Sequence, residues 1–211
     1  MPDNLRSNDH FFCVDMTFPF IYLASASPRR HELLNQIRVS HTVLQVPAPP
    51  GEDEPILPGE HPRAYVERTA RDKALWAAAW AQTQPDWTPA PILTADTTVI
   101  LDDTVLGKPK DATDAARILR QLSGRSHEVR TAVVLWHNNE LATAVSVSIV
   151  HFDTLSEDMI QNYCQSGEPM GKAGAYGIQG QGGMFVKHLE GSYTGVMGLP
   201  VYETARLLRS M

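Results

Sequence analysis

The chain has 211 residues, 43% of them hydrophobic, so it can bury a sizeable core as one large domain or two small lobes. Its formal charge of −6 argues against a nucleic-acid coat or a membrane-surface protein, because both need a dominant basic field. Its two cysteines, Cys13 and Cys164, are too far apart in sequence for a disulfide framework or a cysteine-based metal site, and no apolar run reaches the roughly 18 residues of a membrane span. We therefore expect a cytoplasmic protein that contacts neither nucleic acid nor a membrane.

The first half of the chain predicts strands and helices in alternation. We assign residues 1–19 to an N-terminal extension that is disordered or stems from a start codon placed too early, and residues 20–211 to one folded domain. The predicted elements are a strand at 20–24, a helix from Pro28 to about Arg38, a strand at 43–46, a helix at 62–82, a strand and short return strand within 91–109, and a helix from a cap at Asp111 to Leu122.

The second half adds an antiparallel hairpin and a glycine-rich segment. Residues 129–136 and 141–152 flank the turn "HNNE", and the hydroxyl-x-x-carboxylate pattern Thr154–Glu157 predicts the start of a helix. Residues 167–183 hold seven glycines, which favours a shaped binding loop over a linker. A strand at 184–189 and a helix at 200–209 close the order. This mixture predicts an α/β fold with a mixed, curved sheet and flanking helices, rather than a doubly wound parallel sheet.

Two arginines stand where the first strand turns into the first helix, in "IYLASASPRR". A helix N-terminus presents unpaired N–H groups and the positive end of the helix dipole, and arginine adds planar donors suited to phosphate oxygens. Ser25 and Ser27 add neutral donors. The alternative is that Arg29 and Arg30 form a solvated helix start or pair with Glu32.

An acidic residue interrupts the apolar strand "LTADTTVIL" at Asp96. An ionised carboxylate at a buried position is costly unless it is paired or bound to a metal, so Asp96 is a functional candidate. The alternative is a structural partner of an arginine or a strand-end cap. Asp102 and Asp103 form a second acidic pair, which we interpret as solvated turn residues.

Three lysines lie near these segments: Lys73 in the second helix, Lys108 in "LGKPK", and Lys172 at the opening of the glycine-rich segment. None belongs to a Walker phosphate loop or a GxGxxG dinucleotide motif. A lone lysine is usually a surface charge, so these positions acquire a function only together with other groups.

Five blocks in the chain resemble, in order and spacing, the Maf family of nucleoside triphosphate pyrophosphatases. The blocks are "LASASPRRHELLNQ", "RDKA", "TADTTVILDDTVLGKPKDATDAARILRQLSGRSHEVRTAVVL", "SGEPMGKAGAYGIQGQGGMFV" and "EGSYTGVMGLPVYETARLL". The resemblance implies an elongated two-lobed fold with a central cleft, like that of inosine triphosphate pyrophosphatases. It also implies hydrolysis between the α- and β-phosphates of a nucleoside triphosphate with a divalent cation, Mg²⁺ or Mn²⁺. Members are often dimers, so a homodimer is one expectation.

The resemblance carries residue roles onto this chain. Asp96 matches the catalytic acidic residue, and Glu54 and Asp96 match the expected metal ligands, with Glu54 placed through a loop whose length varies. Lys73 and Lys108 match cations that assist catalysis. The positions that match substrate contacts are Ser25, Arg29, Arg30, Thr97 and Gln179, of which Arg29, Thr97 and Gln179 are linked to substrate choice.

The "ADT" and "AYGIQG" blocks resemble the branch that acts on dTTP and UTP. The amide of Gln179 offers a donor and an acceptor, which suits the O4 and N3–H edge of thymine or uracil, and Thr97 could add a hydroxyl contact. The alternative is that Gln179 only braces the loop. Two other functions stay open: a 7-methyl-GTP pyrophosphatase, and a nucleotide-binding regulator of septum formation.

The chain departs from the family pattern at two internal positions. Arg38 stands where a glycine usually follows the first helix, and Thr98 replaces the commoner valine after "ADT". We expect neither departure to touch the proposed catalytic groups.

Overall fold

The computed structural model of the chain describes residues 17–49 and 54–211. Most of the predicted extension at 1–19 lies outside the described residues. The strands are β1 Ile21–Leu23, β2 His41–Val43, β3 Ile92–Leu101, β4 Thr104–Leu106, β5 Ser126–His137, β6 Glu140–Phe152 and β7 Val186–Glu190. The helices are α1 Pro28–Gln36, α2 Pro62–Ala81, α3 Ala112–Leu122, α4 Glu157–Gln165, α5 Tyr193–Met197 and α6 Val201–Arg209. Within the described residues, no helix is long and apolar enough to cross a membrane.

One seven-stranded sheet organises the molecule, in the order β2-β1-β3-β5-β6-β7, with β4 paired to β3. The β1–β2 and β1–β3 pairs are parallel, whereas β3, β5, β6 and β7 form antiparallel pairs and β4 returns antiparallel on β3. The prediction of a mixed sheet with flanking helices is confirmed.

A gap opens along one edge of β3. β1 pairs with β3 only as far as Leu93, and β4 pairs with β3 only from Val99 onward. On its other edge β3 pairs with β5 without interruption from Ile92 to Ile100. Among the described residues, no strand covers the open edge at 94–98, so that edge faces a cleft.

The helices cover both faces of the sheet. The alanine-rich stripe of α2 packs on one face, against β3 and β5. Small side chains let the helix approach the sheet closely, which brings longer residues of α2 within reach of β3. α1 and α6 pack on the opposite face, while α3, α4 and the glycine-rich segment enclose the far end of the sheet.

Most predicted elements are confirmed, but some boundaries are wrong. The second strand is His41–Val43 rather than 43–46, because its partner β1 ends at Leu23. The last strand begins at Val186 rather than 184, because Gln181–Phe185 form a short 3₁₀ turn. The five-residue helix α5 was not predicted, since it is short and contains a glycine.

The predicted start of α4 is also wrong in its detail. The N-cap is Ser156, whose Oγ accepts a hydrogen bond from the Met159 N–H at 3.2 Å, and not Thr154. Leu155 is 7% exposed and packs in the core, so the chain stays extended through this residue before the helix begins.

The end of α1 explains why a glycine would suit position 38. Arg38 has a φ of 57°, in the left-handed region. Its N–H donates to the Asn35 carbonyl at 3.0 Å and the Val39 N–H donates to the Leu34 carbonyl at 3.0 Å, which is the Schellman pattern of hydrogen bonds at a helix end. A side chain at this position carries a conformational cost that glycine avoids.

We expect the Arg38→Gly substitution to raise the free energy of unfolding by about 1 kcal/mol, because glycine adopts the left-handed conformation without strain. Part of this gain is offset, because glycine also gives the unfolded chain more conformational freedom. Urea unfolding measures the difference. Arg38→Ala is the matched control, since it removes the same side chain but keeps a Cβ at a positive φ, and it should give no stabilisation. Equal effects of the two variants would contradict the backbone explanation.

Candidate active site

A cavity of about 750 Å³ lies at the open edge of β3. Its size is that of a small-molecule site. The structure brings all nine site residues predicted from the sequence to its walls. They are Ser25, Arg29, Arg30, Glu54, Lys73, Asp96, Thr97, Lys108 and Gln179.

At the floor of the cavity one lysine joins two carboxylates. Lys73 Nζ lies 2.6 Å from Asp96 Oδ1 and 2.5 Å from Glu54 Oε1. Lys73 comes from α2 and Asp96 from β3, so the close packing of α2 on the sheet creates the contact. Asp96 is only 5% exposed. The buried carboxylate of Asp96 is therefore paired with an ammonium group. The sequence had left open two other roles for Asp96, as the partner of an arginine or as a strand-end cap.

The charges around Asp96 keep it ionised. Burial alone would raise its pKa, but the charge and hydrogen bond of Lys73 and the charge of Arg30 outweigh burial and lower the pKa. Thr98 Oγ1 donates a further hydrogen bond to Asp96 Oδ2 at 3.3 Å. The expectation that the departure at Thr98 touches none of the proposed catalytic groups is thus wrong. Thr98 and Asp96 are two residues apart on one strand, so their side chains share a face of the sheet.

Glu54 reaches the floor of the cavity because α2 holds the short segment that precedes this helix. The Tyr65 hydroxyl donates to the Glu54 carbonyl at 3.0 Å, and Arg68 Nη2 donates to the Pro55 carbonyl at 2.7 Å. Glu54 itself has a φ of 55°, which is uncommon for a residue with a side chain. Asp53, its neighbour in sequence, lies outside the described residues.

The SPRR turn forms a second wall. Pro28 is the first residue of α1 and Ser27 is its N-cap. Within the part of the chain that the structure describes, no side chain caps this helix start, so its N–H donors can face another partner. Arg30 is fixed by hydrogen bonds to the Gly198 carbonyl at 2.8 Å and to Ser25 Oγ at 3.0 Å. Burial lowers the pKa of Arg30, while the charge of Asp96 acts against this.

Arg29 is half-buried beside Arg30. Its Nε donates to the Met197 carbonyl at 3.3 Å, so one nitrogen of the guanidinium group is anchored to the segment after β7. Burial lowers the pKa of Arg29. Among the described residues, neither arginine forms an ion pair with Glu32, which is exposed. Two cationic groups therefore face the cavity without a carboxylate of their own.

Thr97 connects the arginines to β5. Thr131 Oγ1 donates to the Gly195 carbonyl at 2.7 Å, so it must accept from the Thr97 hydroxyl at 3.0 Å. Thr97 Oγ1 in turn accepts from Arg30 Nη2 at 3.4 Å. The single proton of Thr97 is committed, so towards a ligand its hydroxyl can act only as an acceptor. Thr131 was not predicted as a site residue. The one feature of the sequence that could have indicated it is a hydroxyl residue within an otherwise apolar strand.

The glycine-rich loop is held together by one carboxylate. Glu168 Oε1 accepts from the Tyr163 hydroxyl at 2.9 Å and the Gly182 N–H at 3.1 Å, and Oε2 accepts from the Gln181 N–H at 3.0 Å. Burial acts to raise the pKa of Glu168, but these hydrogen bonds outweigh it and lower the pKa. Gly174 has a φ of 71°, and a Cβ there would lie 2.8 Å from Val99, so the loop closes against β3 only with glycine at this position.

The large side chains of the loop point in different directions. Tyr176 is 6% exposed and its hydroxyl lies 2.9 Å from His127 Nε2, so its polar end is already occupied below the cavity floor. Gln179 and Lys108 are exposed at the cavity rim. Of these two loop residues Tyr176 and Gln179, only Gln179 has a side chain that forms no hydrogen bond with the described residues.

The cavity concentrates positive charge in an acidic chain. Among the described residues, five cationic and two carboxylate side chains line it, which leaves a net charge of +3, whereas the whole chain carries −6. The cations are Arg29, Arg30, Lys73, Lys108 and Lys172. Such a site attracts a polyanion, and the carboxylates of Glu54 and Asp96 add a pair of oxygen donors beside it.

The comparisons with known proteins agree with this arrangement. The model of the family described as Maf-like protein matches residues 20–211. A protein of Bordetella parapertussis named dTTP/UTP pyrophosphatase is 62% identical over 194 residues, which cover 91% of this chain and 92% of that protein. Proteins with the same name from Chromobacterium violaceum and Dechloromonas aromatica are 50% and 49% identical, over 89% and 90% of this chain and 92% and 96% of theirs. With the family match spanning nearly all of the described fold and every wall of the cavity, the chain belongs to the Maf-like protein family.

Proposed function

We propose that the protein hydrolyses dTTP and UTP to the nucleoside monophosphate and pyrophosphate. The observation that carries the proposal is the pairing, in one cavity, of a buried carboxylate with an array of cations sized for a nucleotide. The names of the Maf relatives, dTTP/UTP pyrophosphatase, give the substrates that fit this site.

The carboxylates supply the groups that act on water. Asp96 is ionised at neutral pH, so it can accept a hydrogen bond from the attacking water and take its proton. Lys73, which lies between Asp96 and Glu54, keeps both oxygens at one place before the substrate binds. The roles of base and metal ligand for Asp96 are both compatible with this position.

A divalent cation fits the donor set. Glu54 and Asp96 present two carboxylate oxygens beside the Lys73 ammonium group, and Mg²⁺ or Mn²⁺ is commonly bound by one or two carboxylates together with substrate phosphates. Among the described residues there is no cluster of three or more acidic, histidine or cysteine ligands, so phosphate oxygens and water would complete the shell. When bound, the cation would neutralise phosphate charge and polarise the phosphorus.

The opposite wall receives the leaving group. Arg29, Arg30 and the free donors of the α1 N-terminus can hold the β- and γ-phosphates, and Lys108 reaches them from the end of β4. Because Ser25, Thr97 and the Gly198 carbonyl already orient Arg30, little reorganisation is needed as charge develops on the pyrophosphate.

The base is placed against the glycine-rich loop. Gln179 is exposed at the rim and can pair its amide with the O4 and N3–H edge of thymine or uracil. Arg29 and Thr97 lie on the phosphate side and act on substrate choice through the orientation of the phosphates. A cytoplasmic location fits a nucleotide substrate, and the homodimer stays a prediction.

A product and substrate assay tests the proposal. With Mg²⁺ or Mn²⁺ present, we expect dTTP and UTP to give the monophosphate and pyrophosphate, and CTP, dATP and GTP to react poorly. Anion-exchange chromatography separates the products. Diphosphate plus orthophosphate would exclude cleavage between the α- and β-phosphates, and 7-methyl-GTP as the best substrate would overturn the assigned branch. Binding of these nucleotides without turnover would favour the regulatory alternative.

A further inference from the structure

Lys172 opens the glycine-rich loop and lines the same cavity as the proposed site residues, yet the proposed mechanism gives it no role. It is half-buried. Its ammonium group donates to the Glu168 carbonyl, which belongs to the residue that holds the loop together. Among the described residues no carboxylate forms an ion pair with Lys172, so two of its three N–H donors are available to a ligand.

Lys172 and Gln179 are neighbours across Gly177. A Cβ placed on Gly177 would lie 3.1 Å from Lys172 Cε and 3.4 Å from Gln179 Nε2. Both side chains therefore pass over the same glycine, and they lie close to each other because this residue has no side chain. In the proposed function Gln179 faces the base, so the ammonium group of Lys172 lies at the base end of the cavity.

We propose that Lys172 is a further specificity-determining residue, which donates a hydrogen bond to O4 of the pyrimidine base next to the amide of Gln179. An ammonium group is a donor without an acceptor, so it binds a carbonyl and repels an amino group. Uracil and thymine carry O4 where cytosine carries an amino group, and adenine carries an amino group at its corresponding edge. Lys172 thus favours UTP and dTTP over CTP and dATP.

The electrostatics of the loop agree with this role. Burial and the nearby charge of Arg29 lower the pKa of Lys172, while Glu168 partly opposes them. A partly desolvated ammonium group without a carboxylate gains more from a neutral carbonyl partner than a surface lysine does. The inference rests on the proposed function for the position of the base. It adds one residue, Lys172, and the prediction that this residue favours a base with a carbonyl group over a base with an amino group.

The test compares Lys172→Met with Lys187→Met, which removes an exposed lysine on β7. We expect Lys172→Met to lower the ratio of kcat/KM for UTP to that for CTP by about tenfold, as loss of a charged hydrogen bond predicts. Lys172→Arg keeps a donor-only cation and should retain most of the preference, and Lys187→Met should leave both values unchanged. An equal loss on UTP and CTP would show that Lys172 contacts phosphate and would overturn the proposal.

A binding measurement separates this inference from the proposed function. Isothermal titration with the non-hydrolysable α,β-methylene-UTP and α,β-methylene-CTP reports base discrimination without turnover. If the wild type cleaves neither UTP nor dTTP but binds the UTP analogue through Lys172, the function fails and the inference stands. If Lys172→Met is unfolded by circular dichroism, Lys172→Gln replaces it as the neutral variant. Equal binding of both analogues by wild type and variant contradicts the inference.

Discussion

The Asp96→Asn variant is expected to lose at least about a hundredfold in kcat for dTTP while it remains folded. Asparagine has nearly the same shape and can still accept the hydrogen bond from Thr98, so the strand and its packing are preserved. Asparagine cannot take a proton from water, and it has no negative charge with which to bind a metal cation. Lys73 keeps Glu54 as an ionic partner, which limits the loss of stability.

The comparison that isolates this effect is Asp103→Asn. Asp103 lies in the turn between β3 and β4 at a φ of 59°, where asparagine is well tolerated, and its side chain is exposed. Turnover by stopped assay and melting by circular dichroism are measured for both variants. Near-normal turnover in Asp96→Asn, or a collapse of its melting temperature, would assign Asp96 a structural role.

The Lys73→Met variant is expected to lose roughly a hundredfold in kcat/KM near neutral pH and to lose more in acidic buffer. In the wild type, burial raises the pKa of Asp96, but Lys73 and Arg30 outweigh burial and lower it. Once the Lys73 charge is removed, burial and the negative charge of the nearby Glu54 have a larger effect on the pKa of Asp96. The pKa of Asp96 then rises, and the reactive ionised form is depleted as pH falls.

The pH dependence of kcat/KM from about pH 5 to about pH 9 distinguishes this explanation from simple disruption. We expect the acidic limb of Lys73→Met to lie at higher pH than that of the wild type, and Lys73→Arg, which keeps a cation, to lie between them. The sign follows from the wild-type shift, because a carboxylate with a lowered pKa stays ionised until the solution is more acidic than its ordinary pKa. A parallel drop at every pH would show that Lys73 does not act through Asp96.

The residues of the site could be predicted from the sequence to different extents. Pro28 and the two arginines mark a helix start by themselves, and Asp96 stands out because a carboxylate in an apolar strand requires a partner. Thr98 and Lys172 carry no such signal. A threonine fits any strand, and a single lysine fits any loop, so their functions emerge only from what lies beside them.

The order and type of most elements, the turn at Asp102–Asp103 and the cationic start of α1 follow from local sequence, because they depend on backbone preferences within a few residues. Two contacts of the site follow from no local pattern: Lys73 bridges Asp96 and Glu54, and the Gly198 carbonyl fixes Arg30 from 168 residues away. Those contacts depend on how far β1 and β4 extend along β3 and on how closely α2 packs against the sheet. Local periodicity does not specify these quantities, because they result from the packing of side chains that are distant in the chain.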